Sequence, residues 1–480
     1  MAERKVDVAI IGAGTAGLAA YRRVREHTER LVLIEGGAHG TTCARVGCMP
    51  SKLLIAAAEA AHAVHEAPVF GIEAGGPPRI DGRAVMSRVR ALRDYFVDSV
   101  LEVVEDFPAE HRLTGHARFV DDHHLQVGED VIVEAGRIVI ATGSRPAHPP
   151  FLGEAGDLLA TSDDVFEWQD LPESVAVFGG GIIGLELGQA LHRLGVRMRL
   201  FGKGGAVGPL SDPKVREYAA RTFTAEFAFD PDAKVRSVQR RDGKVEVTFE
   251  DEGGRERTER FDRLLAATGR RPNVDRLGLE NTSLELDDKS VPLFDRFTGQ
   301  SGDSHIFIAG DADDEVPLLH EAADEGKIAG DNAGRYPDVR AQTRRAPLGI
   351  VFSDPQIATV GKSYRELQAE EVDHAIGEVS FEDQGRSRVI NRNRGLLRLY
   401  GAHGTGLFLG AEMIGPAAEH IAHLLAWAAQ LGLSVHEMLA LPYYHPVIEE
   451  GVRTGLRALN RQLRMGPDLV PQCLDCGPGA

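Results

Sequence analysis

Residues 6–17 read Val-Asp-Val-Ala-Ile-Ile-Gly-Ala-Gly-Thr-Ala-Gly, and they decide the fold of this 480-residue chain. The apolar start of the stretch predicts a buried strand, and Gly12, Gly14 and Gly17 follow that strand at once. A helical segment and a second apolar strand come next, and this strand ends on Glu35. The pattern predicts a βαβ unit that binds a dinucleotide. The glycines let backbone N–H groups approach a pyrophosphate, and the acid accepts hydrogen bonds from a ribose.

The same pattern occurs a second time, where an apolar strand leads into Gly179, Gly181 and Gly184. Two further apolar strands end in Thr-Gly, at Gly143 and at Gly269, one on either side of this second unit. We therefore predict that one dinucleotide module is inserted into another, and that two nucleotide cofactors bind.

The two βαβ units differ at the end of their second strand. Glu35 lies 23 positions after Gly12 (35 − 12 = 23), and the same step from Gly179 reaches Gly202, with Lys203 next. Loss of the acid removes the usual clamp on the ribose of NAD, and a neighbouring cation favours the 2′-phosphate of NADP. The alternative is that Lys203 is merely solvated.

The composition is that of an ordinary globular protein, and the length predicts roughly two to four domains. The formal net charge of −18 argues against non-specific nucleic-acid binding, which needs a basic surface. The first apolar run is too short for a signal peptide, and no stretch approaches the roughly 20 apolar residues of a membrane span. We expect a cytoplasmic protein with no nucleic-acid or membrane partner.

The four cysteines form two close pairs, Cys43 with Cys48 and Cys473 with Cys476. In a reducing compartment such pairs are more often catalytic or metal-binding than structural. The first pair could be half of a metal site, but no second ligand pair lies nearby in sequence, and we predict no metal. Pro50 and the apolar run after it predict a helix that begins at the second cysteine, and the N-terminus of a helix lowers a thiol pKa.

With these motifs the chain resembles the pyridine-nucleotide disulfide oxidoreductases, in particular the group of lipoamide dehydrogenase and glutathione reductase. The resemblance covers nearly the whole chain. It rests on Cys43 to Lys52, Ala141-Thr-Gly143, Gly179 to Glu186, Ala267-Thr-Gly-Arg-Arg-Pro-Asn273, Ala309-Gly-Asp311, Phe352-Ser-Asp-Pro355 and His445-Pro446. It implies an α/β fold with two Rossmann-like dinucleotide-binding domains, one inserted in the other, and a C-terminal α+β dimerisation domain. The implied domains are residues 1–148 with 270–344 for FAD, 149–269 for NAD(P) and 345–463 for dimerisation, followed by a flexible tail, 464–480, that carries Cys-x-x-Cys.

The resemblance also implies roles for the redox residues. Cys43 exchanges with the substrate disulfide, and Cys48 lies against the flavin. Lys52 lies near the flavin and pairs with Glu186 on the nicotinamide side; a plain surface ion pair is the alternative. The other implied FAD contacts are Gly12, Gly14, Gly17, Glu35, Thr42, Ala117, Thr142, Gly143, Asp311 and Leu319, and the implied contacts of NAD(H) or NADP(H) are Gly179, Gly181, Gly184, Lys203 and Gly269.

The catalytic base is implied to be His445, in a segment that resembles the family's His-Pro motif with an acid five residues on. A helix starting at Pro446 would let Glu450 turn back to one imidazole nitrogen and leave the other free to take a proton. In the family this histidine serves the cysteines of the other subunit, which implies a homodimer.

The implied activity is that of a dihydrolipoamide dehydrogenase, with a lipoyl group or another dithiol as substrate. Departures at Thr41, Arg45 and Tyr443-Tyr444 alter the disulfide side of the expected pocket. One alternative is an NAD(P)H-dependent reductase of another disulfide or of a metal ion, which would use the Cys473/Cys476 tail. A non-catalytic flavoprotein scaffold is a third possibility, and the joint presence of all six redox and acid–base residues disfavours it.

Overall fold

A computed structural model describes residues 2–73, 75–76, 78–251 and 253–464 of the chain, so the tail with Cys473 and Cys476 lies outside the described residues. The strands in chain order are β1 Ala2–Ile11, β2 Leu31–Glu35, β3 Arg112–Thr114, β4 Ala117–Phe119, β5 His124–Val127, β6 Val131–Ile140, β7 Ser144–Pro146, β8 Leu159–Thr161, β9 Ser174–Phe178, β10 Arg197–Phe201, β11 Ala228–Asp230, β12 Val235–Arg241, β13 Lys244–Glu250, β14 Glu256–Phe261, β15 Arg263–Ala266, β16 Arg270–Pro272, β17 Ile306–Ile308, β18 Leu348–Val351, β19 Gln356–Gly361, β20 His374–Ser380, β21 Leu396–Ala402 and β22 Phe408–Gly415. The α-helices are α1 Thr15–Val24, α2 Thr42–Val46, α3 Cys48–Glu66, α4 Gly82–Glu105, α5 Ile182–Arg193, α6 Pro213–Glu226, α7 Leu319–Arg335, α8 Tyr364–Ala369, α9 Gly385–Val389, α10 Ala418–Gln430, α11 Val435–Ala440 and α12 Glu450–Leu463.

The first module is built on a seven-stranded sheet ordered β3-β2-β1-β6-β5-β4, with β17 also paired to β6. The strands β1, β2, β3, β6 and β17 run parallel. The second half of β1, which the sequence predicts as a strand, is almost wholly buried because both faces of the sheet are covered. Helices α1 and α7 pack closely: a Cβ on Gly326 would lie 2.2 Å from the carbonyl oxygen of Ala16.

The second module has a five-stranded parallel sheet ordered β11-β10-β9-β15-β8 and a three-stranded antiparallel sheet, β12-β13-β14. The chain leaves the first sheet after β6 and returns to it at β17, beside β6. Strands β7 and β16 pair antiparallel where the chain enters and leaves the second module. One module is therefore inserted within the other, as the bracketing Thr-Gly segments predict.

The C-terminal part forms an antiparallel sheet ordered β18-β19-β22-β21-β20, with α10 and α12 packed on it. Gly377 and Gly455 bring α12 against β20, since a Cβ on Gly377 would lie 2.3 Å from the carbonyl oxygen of Gly455. The predicted fold class, two dinucleotide modules plus a C-terminal α+β unit, is confirmed. Within the described ranges, no helix is both long and apolar enough to cross a membrane.

Buried ion pairs join the C-terminal unit to the second module. Arg193 on α5 donates from Nε to Glu226 at 2.7 Å and from Nη1 to Asp354 at 2.9 Å. In a second contact, Arg398 on β21 donates to both carboxylate oxygens of the fully buried Asp212, at 2.7 and 2.6 Å. Charges that are buried in this way are tolerated only when they are paired, so these contacts tie the C-terminal sheet to the second module.

Candidate functional site

The two glycine turns share one geometry. Gly12 and Gly179 have φ angles of +106° and +115°, in the region that favours glycine. A Cβ on them would lie 2.3 and 2.1 Å from a carbonyl oxygen of the neighbouring strand's end, so no other residue fits. A Cβ on Gly14 or Gly181, by contrast, would meet nothing within 4 Å. That open space lies before the N-termini of α1 and α5, where backbone N–H groups can bind a pyrophosphate.

The strands that follow the two glycine turns, β2 and β10, differ at their carboxyl ends. The carboxylate of Glu35 accepts hydrogen bonds from the backbone nitrogens of Ala13 at 2.8 Å and Gly37 at 2.7 Å, which holds it beside the first glycine turn. At the corresponding position of the second module, a Cβ on Gly202 would lie 2.6 Å from the carbonyl oxygen of Pro231. The backbone after β11 thus fills the space that a side chain at 202 would need.

A cavity of about 1380 Å³ runs between the two modules. It is large enough to bury most of a bulky ligand, since ordinary ligand pockets measure roughly 300–1000 Å³. The predicted site residues that line it are Gly14, Thr42, Cys43, Cys48, Lys52, Gly143, Gly179, Gly181, Glu186, Lys203, Gly269, Asp311 and Leu319. The predicted site residues that do not line it are Gly12, Gly17, Glu35, Ala117, Thr142, Gly184, His445 and Glu450.

The two cysteines lie where α2 meets α3. Cys43 is on the short α2, Cys48 is the first residue of α3 as predicted, and Gly47 joins the helices. A Cβ on Gly47 would lie 3.2 Å from the Cα of Cys43, so a larger residue would crowd the pair. A hydrogen bond from the Cys43 thiol, and then the Lys52 ammonium, lower the pKa of Cys48 to about 6. The same hydrogen bond raises the pKa of Cys43, so at neutral pH the reduced pair holds its negative charge on Cys48.

The structure brings Lys52 and Glu186 together across the two modules. The Nζ atom of Lys52 donates to both carboxylate oxygens of Glu186, at 3.1 and 2.8 Å. The Glu186 side chain is only 4% exposed and that of Lys52 32% exposed, which is not the arrangement of a plain surface pair. The backbone nitrogen of Phe352 also donates to Glu186, at 2.9 Å, so all three parts of the chain meet at this carboxylate.

Two further polar residues line the cavity beside Asp311. The hydroxyl of Ser144 donates to Asp311 Oδ2 at 2.7 Å and accepts from Arg270 Nε at 2.7 Å. Sequence reasoning assigned no role to Ser144 or Arg270. Each directly follows the glycine of a Thr-Gly segment, and this shared position is the signal that could have identified them.

The cavity and its surroundings fit a flavin dinucleotide. The hydroxyl oxygen of Thr142 is buried and has no hydrogen-bond partner within the described part of the chain. Buried polar groups are normally hydrogen-bonded, and a bound ligand would supply the partner. Gly14 leaves room for a pyrophosphate, and Asp311 offers a carboxylate to hydroxyl groups. In the described ranges, no group of three or more His, Cys, Asp and Glu side chains could hold a metal ion.

His445 and Glu450 contact each other away from the cavity. Nδ1 of His445 lies 3.1 Å from Glu450 Oε1, and the backbone nitrogen of Val447 donates to Oε2 at 3.2 Å. The Glu450 side chain is 3% exposed, whereas that of His445 is 58% exposed. The expected helix start at Pro446 is wrong: α12 begins at Glu450, and the turn before the helix is enough to bring the acid back to the imidazole.

The chain matches family models and known proteins over most of its length. The family model described as pyridine nucleotide-disulphide oxidoreductase matches residues 6–326, and the model of the dimerisation domain of the same family matches residues 348–455. The dihydrolipoyl dehydrogenase of Haloferax volcanii is 30% identical over 459 residues, which cover 93% of this chain and 94% of that protein. The mercuric reductase of Streptomyces lividans is 32% identical over 453 residues, covering 92% and 93%.

Solved structures share the fold at lower sequence identity. The HOCl-induced flavoprotein disulfide reductase RclA from Escherichia coli has a TM-score of 0.78 and 21% identity, and covers 96% of this chain and 99% of that one. LpdA from Mycobacterium tuberculosis has a TM-score of 0.79 and 24% identity, with 94% and 99% covered. The chain is thus similar over its length to proteins whose named substrates differ.

Proposed function

Since the chain belongs to the pyridine nucleotide-disulphide oxidoreductase family, which uses FAD and NAD(P)H, we propose that it oxidises a dithiol of the dihydrolipoamide type. The electrons pass to NAD(P)⁺. The observation that carries the proposal is the contact between His445 and the buried Glu450. Oxidation of a dithiol requires a base to remove thiol protons, whereas reduction of a metal ion does not. The match to a dimerisation-domain model supports a homodimer.

The difference in pKa between Cys43 and Cys48 determines which of the two sulfurs the substrate thiolate attacks. A substrate thiolate attacks one sulfur of the Cys43–Cys48 disulfide, forms a mixed disulfide with that sulfur and expels the other as a thiolate. The sulfur with the lower pKa leaves faster, so Cys48 leaves and Cys43 forms the mixed disulfide. The second substrate thiol then displaces Cys43. The substrate becomes a disulfide, and the electron pair remains on the reduced cysteines. Of the two thiol protons of the substrate, one ends on Cys43 and one is released, because the reduced pair holds a thiol at Cys43 and a thiolate at Cys48.

The His445–Glu450 pair handles these protons. Glu450 holds Nδ1 of the imidazole, which leaves Nε2 free to accept a proton from a thiol. Because His445 does not line the cavity that contains the cysteines of its own chain, we propose that it serves the cysteines of the second subunit. The high exposure of its side chain in a single chain supports this assignment.

The chain's own residues would hold FAD in the first module and the nicotinamide nucleotide in the second, with Lys52 and Glu186 joining the two modules. Gly14 and Asp311, which line the cavity, would hold FAD in the first module, together with Thr142, whose buried hydroxyl has no partner among the described residues. Gly181 would receive the pyrophosphate of the nicotinamide nucleotide in the second module. FAD, when bound, would supply the two-electron relay between the Cys48 thiolate and the nicotinamide. Lys52 stabilises negative charge at the thiol side of that relay, since its ammonium lowers the pKa of Cys48.

The test is steady-state turnover of purified protein with dihydrolipoamide and NAD⁺ or NADP⁺. Rapid oxidation of the dithiol, lost in Cys43→Ser, is the expected result. Negligible turnover, with the flavin still reduced by NADH or NADPH, would refute the dihydrolipoamide assignment and leave the family chemistry intact.

A second candidate is an NAD(P)H-dependent reductase of another disulfide or of a metal ion. It is favoured by the terminal Cys473-Leu-Asp-Cys476 and by the similarity to mercuric reductases. This candidate predicts that the double variant Cys473→Ser/Cys476→Ser loses turnover. The dihydrolipoamide proposal predicts that the double variant keeps it. A third possibility, a non-catalytic flavoprotein, requires that no disulfide or dithiol is turned over at all.

A further inference from the structure

The strand–helix–strand units that carry the two glycine turns align at a constant offset. The first glycines differ by 167 positions (179 − 12 = 167), so Glu35 corresponds to Gly202 and Gly37 to Gly204. In the first module the backbone nitrogen of Gly37 donates to the Glu35 carboxylate at 2.7 Å. In the second, the backbone nitrogen of Gly204 donates to Asp232 Oδ1 at 2.6 Å. The corresponding N–H group binds a carboxylate in both modules, although in the second the acid follows a different strand.

Backbone hydrogen bonds hold Asp232 at this place. The nitrogen of Gly202 donates to the carbonyl of Asp230 at 2.7 Å, and the nitrogen of Ala233 donates back to the carbonyl of Gly202 at 3.1 Å. The nitrogen of Asp232 itself donates to Asp230 Oδ1 at 3.0 Å. The segment after β11 is thereby tied to the end of β10, where the ribose-binding acid of a dinucleotide module usually lies.

Asp232 lines the same cavity as Gly181 and Lys203. Its second carboxylate oxygen has no hydrogen-bond partner in the part of the chain that the structure describes. We propose that Asp232 accepts hydrogen bonds from the adenosine ribose of the nicotinamide nucleotide, and that it thereby selects NAD(H) over NADP(H). The proposal rests on the proposed function for the nucleotide that occupies the second module, and it does not depend on which dithiol is the substrate.

The charges of Asp232 and Lys203 favour NAD(H) over NADP(H). A 2′-phosphate carries close to two negative charges, and beside Asp232 it would meet a third. Lys203 can neutralise only one of them, and Lys203 and Asp232 together bring no net positive charge to the site. The ribose of NAD brings hydroxyl donors instead, which a carboxylate binds strongly. The expected preference is therefore the opposite of the one that Lys203 alone suggests.

The experiment measures the nucleotide separately from the disulfide. The FAD-containing protein is titrated with NAD⁺ and with NADP⁺ by calorimetry, and the flavin is reduced by NADH and by NADPH in a stopped-flow instrument. The variants are Asp232→Asn, whose amide oxygen can still accept from Gly204, and Lys203→Gln. Asp288→Asn, at an exposed position in the first module, is the charge-matched control.

The wild type should bind NAD⁺ at least about tenfold more tightly than NADP⁺, and Asp232→Asn should reduce that ratio by about tenfold. Asp288→Asn should leave the ratio unchanged. A wild-type preference for NADP⁺ that disappears in Lys203→Gln would overturn the proposal, and so would an unchanged ratio in Asp232→Asn. If the ratio behaves as expected but dihydrolipoamide is not oxidised, the proposed substrate fails and the assignment of Asp232 stands.

Discussion

The ammonium of Lys52 lies 2.8 Å from Glu186 Oε2 and 4.6 Å from the centre of the Phe352 ring. It is held between the helix that begins at Cys48, the helix of the second glycine turn, and the strand end of the C-terminal sheet. One cation thus connects the thiol pair to the second dinucleotide module. Its charge also acts on Cys48, one turn away on the same helix.

Replacing Lys52 should change the acidity of Cys48. We expect Lys52→Met to raise the pKa of the Cys48 thiol by about one unit, because an opposite charge that favours the thiolate is removed. The measurement is the pH dependence of Cys48 alkylation by iodoacetamide in the reduced protein, followed by mass spectrometry. Lys5→Met is the matched control, since Lys5 pairs with Glu134 on the first sheet. The same profile in Lys52→Met and wild type would show that Lys52 does not act on the thiolate.

Loss of the hydrogen bond from the Cys43 thiol should raise the pKa of Cys48 more than loss of the Lys52 charge does. In the wild type, alkylation of Cys48 should be half-maximal near its pKa of about 6, with the thiolate present above that pH and lost below it. We expect Cys43→Ala to move the midpoint upward, because the donor that stabilises the thiolate is gone. Cys43→Ser keeps a donor and should move it less. A midpoint unmoved in Cys43→Ala would argue that the hydrogen bond is not the main cause of the low pKa.

His445→Gln should separate the two half-reactions. Loss of a general base typically slows proton transfer by 10²–10⁴-fold, so we expect dithiol oxidation to fall by roughly this factor. Reduction of the flavin by NADH does not involve the imidazole, and its rate should stay within about twofold of the wild type. Equal loss in both half-reactions would point to a structural role for His445 instead.

A mixed dimer tests where His445 acts. Subunits carrying Cys43→Ser are dissociated and re-associated with subunits carrying His445→Gln, both of which are inactive alone. If the base serves the partner's cysteines, each mixed dimer regains one intact site, and random mixing should restore about a quarter of wild-type activity. If the base serves its own chain, every site carries a defect and no activity returns.

The buried carboxyl of Asp313 should make stability depend on pH. Burial, and then the Glu325 carboxylate, raise its pKa to about 8. Arg344 faces the pair through its ion pair with Glu325, and Glu315 adds further negative charge. Asp has a pKa near 4 when unfolded, so the folded protein binds the extra proton between about pH 4 and 8 and the free energy of unfolding falls as pH rises through that window.

Asp313→Asn should remove this contribution. The melting temperature of the FAD-loaded variant is expected to fall less than that of the wild type between pH 6 and 9, and to exceed it at pH 9, because the amide carries no charge to bury. Asp303→Asn, at an exposed position, should keep the wild-type dependence. Parallel curves for Asp313→Asn and the wild type would contradict the assignment.

The sequence by itself determined the features that depend on local backbone conformation. Gly12 and Gly179 were identifiable because each turn needs a positive φ and a close approach that only glycine allows. The start of α3 at Cys48 and the contact between His445 and Glu450 also involve neighbours within a few residues. The predicted start of α12 at Pro446 was nevertheless wrong, because α12 begins only at Glu450. The side chain of Glu450 still reaches back to His445.

Only the tertiary structure decided contacts between distant segments. The family resemblance implied that Lys52 pairs with Glu186, but the two residues are 134 positions apart, and no rule of spacing sets the distance of 2.8 Å between them. Ser144 meets Asp311, and Asp232 takes the place of a missing acid at 202, because parallel strands bring their ends to one edge of a sheet whatever their separation in the chain. Strand order and the docking of modules arise from the packing of whole faces, which local patterns do not specify.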